Sequence, residues 1–175
     1  MNVEPVHVTM KSYFKYLFFG ILLIGLIGCV YSFTGANLGE LKTVAVPMFD
    51  NLTAEPGIRE KVTTGLTQGI LDDNNLRIAD FKSADAVLSG KITQVDDIVF
   101  AFEGSGNQFT TSDYKITITA IIKFENRREK KTMWEDTFSG WGRYALTGTR
   151  KRSDGMDDAI KMLTQNVINK VTSDW

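Results

Sequence analysis

The sequence predicts an α+β fold, a two-layer sandwich with two helices packed on one face of a mostly antiparallel sheet of four to five strands. Three observations carry that expectation. Tyr114, Ile116, Ile118, Ala120, Ile122 and Phe124 alternate with Lys115, Thr117, Thr119, Ile121 and Lys123, so a strand there has one apolar face and one mainly polar face. Apolar residues recur at helical spacing at Ile58, Val62, Leu66, Ile70 and Leu71, and again at Met156, Ile160, Leu163, Val167 and Val171. Elements with a single apolar face are satisfied by one sheet covered on one side.

The elements follow in chain order. Leu41 to Phe49 is rich in β-branched and apolar residues and reads as a strand, with an edge or bulge at Pro47, which has no N–H to donate. Asp50 to Thr53 turns the chain, and Pro56 stands near the first helical position of a helix that Asp72-Asp73-Asn74-Asn75 ends. Leu76 to Phe81 and Ala86 to Val95 follow as strands, Gly90 marking a bulge or a close approach. Asp97 to Phe102 extends or bends the second of these before the loop Gly104-Ser105-Gly106-Asn107. The alternating strand Tyr114–Phe124 turns at Asn126–Lys131 and returns over Thr132–Tyr144 as a long hairpin. Ser153 is the expected N-cap of the last helix, and Asp154, Asp157 and Asp158 complement its positive end.

Composition narrows the function. The chain has 175 residues, 43% hydrophobic and 23% charged, with a formal net charge of −1. That is one ordinary globular domain, with no global charge that points to nucleic acid. The single cysteine, Cys29, cannot form an intramolecular disulfide.

Cys29 stands at the end of a distinctive leader. Lys11 and Lys15 precede an apolar run from Tyr16 to Gly28, shorter than the roughly 20 residues a bilayer span needs. A basic segment followed by a short apolar one reads as a secretory signal, the alternative being an uncleaved anchor helix. Leu26-Ile27-Gly28-Cys29 resembles the bacterial lipobox, in which cleavage after the small residue frees the cysteine amine and the thiol takes a diacylglyceryl group. Two or three acyl chains hold durably where one holds only marginally. Residues 1–28 are then a cleaved signal peptide, 29–40 a lipidated tether and 41–175 the single α+β domain. Cleavage also removes His7, the only histidine, so zinc sites using Cys or His and triads of Ser-His-Asp or Cys-His type are unavailable to the mature chain.

The remaining polar groups suggest no catalyst, metal centre or cofactor. Asp72-Asp73, Asp96-Asp97 and Asp157-Asp158 lack the alternating spacing of a calcium loop and fit helix termini and solvated turns. An envelope hydrolase built from carboxylates alone would need a concave acidic pocket. No lysine follows the glycine-rich loop to hold a phosphate, and the sequon Asn51-Leu52-Thr53 is incidental in a bacterial envelope protein. Arg127, Arg128, Lys130 and Lys131 cluster at the hairpin tip, and Arg143, Arg150, Lys151 and Arg152 precede the last helix. Such clusters can meet phosphorylated headgroups; a solvated turn that keeps an edge soluble accounts for the same residues. Trp134, Trp141 and Tyr144 read as sheet packing, with Trp141 exposed between Gly140 and Gly142.

Several stretches together carry a resemblance: Cys29-Val30-Tyr31-Ser32-Phe33-Thr34-Gly35, Val44-Ala45-Val46-Pro47-Met48-Phe49-Asp50-Asn51, Glu55-Pro56-Gly57-Ile58-Arg59-Glu60, Ala84-Asp85-Ala86-Val87-Leu88-Ser89-Gly90-Lys91-Ile92 and Phe138-Ser139-Gly140-Trp141-Gly142. In that order, after a lipobox, they resemble the LptE family of lipopolysaccharide-assembly lipoproteins in its Bacteroidetes-like form. The resemblance implies a non-enzymatic protein that sits inside the LptD-type outer-membrane β-barrel, helps it assemble and assists delivery of lipopolysaccharide to the cell surface. It assigns Cys29 as the lipidated residue and Leu26, Ile27 and Gly28 as the cleavage motif. Arg127, Arg128, Lys130, Lys131 and Arg143 are candidate contacts to lipopolysaccharide or partner, without a family residue to align them to. Val30, with no acidic run behind it, carries no retention or surface-export signal, so the expected destination is the outer membrane, facing the periplasm. The alternative reading is a periplasmic regulatory or secretion-pore lipoprotein, since the first strand "VAVPMFDNLT" also resembles those of other envelope lipoproteins.

Overall fold

The structure, a computed structural model, describes residues 41–105, 108–146 and 149–173. The segments expected to be the signal, the lipobox and the tether (residues 1–40) lie outside the described residues, as do Gly106 and Asn107 of the glycine-rich loop. The order is β1 (Thr43–Ala45), β2 (Asp50–Asn51), α1 (Ile58–Asp73), β3 (Arg77–Ile78), β4 (Ala86–Ser105), β5 (Gln108–Asn126), β6 (Lys131–Ala145) and α2 (Arg152–Ser173).

Among the described residues the fold is α+β with two helices, but the sheet is mixed and has six strands, more than the four or five expected. Its order is β3-β1-β4-β5-β6, with β2 also paired to β4. The three long strands are antiparallel, whereas β1 runs parallel to β3 and β4, and β2 parallel to β4. The parallel pairing follows from connectivity. Between β2 and β3 the chain passes through α1, and a helical crossover returns it in its original direction.

β1 lies within the strand expected from Leu41 to Phe49, whereas β2 forms at Asp50–Asn51, where a turn was expected, because those two residues pair with Lys91 and Ile92 of β4. Ala45 pairs with Val87 and Asp50 with Lys91, so this side of the ladder carries one residue more than β4 does. Pro47 lies in that interruption, where its missing N–H is tolerated. Beyond it, Asn51 Oδ1 accepts the Thr53 N–H at 2.9 Å and the Thr53 hydroxyl at 2.7 Å, closing the turn before α1. Pro56 precedes the helix, which starts after Gly57 at φ 71°, a left-handed conformation that favours glycine. Asn74, also left-handed at φ 58°, ends α1 and donates its N–H to the Ile70 carbonyl.

α2 starts at Arg152, so Ser153 lies inside its first turn and is not the cap. The Asp154 carboxylate accepts the Lys151 N–H at 2.8 Å instead. β3 holds only two of the six residues expected of it, because the chain turns at Phe81–Ser83 to reach β4.

One core joins both helices to one face of the sheet. Ile116, Ile118, Ala120, Ile122 and Phe124 are fully buried, as are Ile58, Val62, Leu66, Leu163 and Val167. Leu71 is half exposed, because one residue past Ile70 turns the helix by about 100° away from the core. Gly90 is a close approach, not a bulge: a Cβ there would lie 2.6 Å from the Phe49 ring, and the nearby register shift falls between Ile92 and Gln94. Phe124 stacks on Trp134 at 5.7 Å and Tyr114 on Tyr144 at 5.3 Å, which confirms these aromatics as packing. No helix among the described residues is long and apolar enough to cross a membrane.

Candidate functional site

The five basic residues singled out in the sequence fall on two separate surfaces. Arg127, Arg128, Lys130 and Lys131 occupy the β5–β6 turn, whereas Arg143 lies twelve residues along β6, about 40 Å away at strand spacing.

At the β5–β6 turn, two of the four cations have intramolecular partners. Arg127 donates to the Phe81 carbonyl and lies 4.8 Å over the Phe81 ring. Arg128 holds the Asp85 carboxylate at 2.7 Å. Asp85 is a hub: its other oxygen accepts the Lys42 and Thr43 N–H groups, each at 3.0 Å, and the Thr43 hydroxyl at 2.9 Å. The Lys42 N–H first, then the Thr43 hydroxyl and Arg128, lower its pKa to about 2, against the opposing effect of burial. Asp85 thereby clasps the start of β1 to the start of β4. Lys130, at φ 52°, and Lys131 are exposed.

Arg143 belongs to a different surface, the sheet face turned away from the helices. The β5–β6 register puts Lys115 directly opposite it. Like charges in that position repel; aromatic rings lie against both cations, and Asp113, two residues from Lys115 on the same face, lines the groove beside Arg143. The Arg143 guanidinium lies 4.7 Å from the Phe100 ring and 5.8 Å from Trp141, and the Lys115 ammonium lies 5.2 Å from Trp141. Ile98, paired with Lys115 on the same face, is 53% exposed, Phe100 46% and Trp141 36%. Cations flanked by exposed apolar side chains suit an amphiphile whose anionic groups adjoin hydrocarbon. Trp141 and Arg143 continue into a groove of about 900 Å³ between β6 and α2, where Lys161 and Met162 line the helix side.

Lys115, Ile98 and Phe100 were not among the candidates chosen from sequence. Lys115 was visible as the polar member of an alternating strand, but its meeting with Arg143 depends on register. β4 and β6 reach this patch from residues more than 40 positions apart.

Asp72-Asp73 ends α1 and Asp157-Asp158 is ion-paired, but Asp96-Asp97 lies within β4 and not at a helix terminus or turn, with Asp96 accepting from the Gln94 amide. Asp97 and Glu55 both bind Arg152, with contacts of 2.8 to 3.1 Å, and this grip raises the arginine pKa. Asp97 also accepts from Tyr144, whose pKa is raised by burial and by that contact. Asp157 pairs with Lys61 at 3.3 Å and Asp158 with Arg150. Among the described residues no group of three His, Cys, Asp or Glu side chains could hold a metal ion.

No curated protein matches the sequence significantly. Solved structures share the fold at low identity. PelC from Paraburkholderia phytofirmans, solved as a dodecamer, is 15% identical with a TM-score of 0.53, covering 79% of this chain and 94% of that one. Protein XCC0632 from Xanthomonas campestris is 12% identical with a TM-score of 0.56, covering 78% and 89%. Protein CT253 from Chlamydia trachomatis is 9% identical with a TM-score of 0.54, covering 75% and 96%. The model of the LptE lipopolysaccharide-assembly family matches residues 41–171, about three quarters of the chain. The chain therefore belongs to the LptE family of lipopolysaccharide-assembly proteins.

Proposed function

We propose that the mature chain is an outer-membrane lipoprotein, anchored through acylated Cys29 and facing the periplasm. There it plugs and helps assemble an LptD-type β-barrel translocon and assists delivery of lipopolysaccharide to the cell surface. Residues 1–28 are the signal removed at Leu26-Ile27-Gly28, residues 29–40 the tether and residues 41–175 the working domain. The role is non-enzymatic: the protein holds a partner and a ligand and transforms neither.

The family match over residues 41–171 is the observation that carries this reading. The Lys115–Arg143 patch supports a direct contact with lipopolysaccharide, because paired cations suit its phosphates while Ile98, Phe100 and Trp141 suit adjoining acyl chains. The alternative, a secretion-pore lipoprotein, draws on the fold shared with PelC, a dodecamer; at 15% identity that likeness extends to the fold alone.

Purification of the lipidated chain from detergent-solubilised outer membranes tests the proposal. One large β-barrel protein is expected in stoichiometric amount, and Cys29→Ser removes both the acyl groups and the membrane association. Recovery of periplasmic soluble proteins alone, or of a ring of identical chains, overturns it.

A further inference from the structure

The β5–β6 turn stands at the end of the sheet where the chain enters the domain. Val44 pairs with Ala86, Ala86 with Asn126 and Asn126 with Lys131, so the starts of β1, β4 and β6 and the end of β5 line up along one rim. Lys42, Lys82, Arg127, Arg128, Lys130 and Lys131 gather there, opposed by Asp80, Asp85 and Glu129. Arg77, at the start of β3, and Asp72 and Asp73, at the end of α1, leave the rim at a net +2, although the whole chain carries −1. The Arg128–Asp85 pair holds this rim to the first residues of β1. Phe81 stands among the cations 56% exposed, with Arg127 over its ring. An exposed aromatic ringed by Lys and Arg is the side-chain combination that settles at a bilayer interface.

We infer that this rim docks on the anionic phospholipid surface in which Cys29 is anchored, and so fixes which end of the domain faces the membrane. The inference rests on the lipidation of Cys29 proposed above. Twelve residues, Cys29 to Glu40, separate that anchor from Leu41 and span at most about 40 Å when fully extended. A lipid anchor followed so closely by a polybasic rim supplies the two signals that make membrane attachment durable. The tether keeps the rim at high local concentration over the surface, so contacts that are weak singly bind together.

Acetylation footprinting of the full lipidated chain tests the inference in vesicles of phosphatidylcholine, with or without phosphatidylglycerol. With the anionic lipid, labelling of Lys42, Lys82, Lys130 and Lys131 falls about threefold or more, and about 0.5 M NaCl restores it. Lys115 labels equally in both. The double variant Lys130→Glu/Lys131→Glu, confined to an exposed turn, loses the protection of Lys42 and Lys82 while its far-ultraviolet circular dichroism is unchanged. Equal labelling on an acylated chain, or protection centred on Lys115, overturns the docking alone. An N-terminal peptide without acyl groups on Cys29 overturns the anchor, and the docking with it.

Discussion

Replacing Asp85 with asparagine removes the charge that four donor groups share while keeping the side chain's shape. In the native domain one oxygen takes two N–H groups and a hydroxyl from Lys42 and Thr43, and the other takes Arg128. The amide of the variant would present an NH2 group to the guanidinium, donor against donor. Holding the carboxyl at about 2 instead of 3.8 makes the ionised group worth at most about 2 kcal/mol at neutral pH. The folded-state pKa is the depressed one, so the contribution is complete well above pH 3.8 and is lost as pH falls through 2. In urea unfolding followed by circular dichroism, Asp85→Asn is expected to lower the midpoint by about 1 M at pH 7. The gap shrinks to about 1 kcal/mol at pH 3 and to under about 0.5 kcal/mol at pH 2. A gap of constant size from pH 7 to pH 2 would refute the assignment of this stability to the Asp85 charge.

Two further substitutions probe how the layers are joined. A Cβ on Gly140 would lie 2.0 Å from the Ala159 carbonyl oxygen and 2.4 Å from the Leu163 nitrogen, both backbone atoms of α2. Gly140→Ala must therefore push the helix off β6, at an expected cost of about 3 kcal/mol and a fall in Tm of about 10 °C; a fall of only one or two degrees would show that α2 rides more loosely. Arg152→Gln leaves the Glu55 and Asp97 carboxylates without the cation they share. The loss is expected to be about 1–2 kcal/mol at low ionic strength and smaller in about 1 M salt, and a salt-independent loss would place the effect in packing.

Local periodicity made the layers legible. Every residue assigned to the apolar face of the alternating strand is buried apart from Tyr114, which is half-buried and stacks on Tyr144. The face assigned to α2 is buried throughout. On α1 only Leu71 departs, by a rotation of one residue. β4 runs through Asp96 and Asp97 to Ser105, so Asp97–Phe102 extends the strand begun at Ala86, one of the two courses the sequence left open. Asp97 belongs in the strand because Arg152, far along the chain, is there to receive it.

The candidate surfaces divide in the same way. The amphipathic faces and the basic β5–β6 turn are local patterns, and the sequence by itself determined them, because a charge cluster and a period of 2 or 3.6 are written in neighbouring residues. Tertiary structure alone decided the parallel pairing of β1 with β3 and β4, the meeting of Lys115 with Arg143, and the alignment of the basic turn with the start of β1. Each depends on which strands lie side by side and in what register, and burying one shared core selects that arrangement among strands whose local patterns fit several.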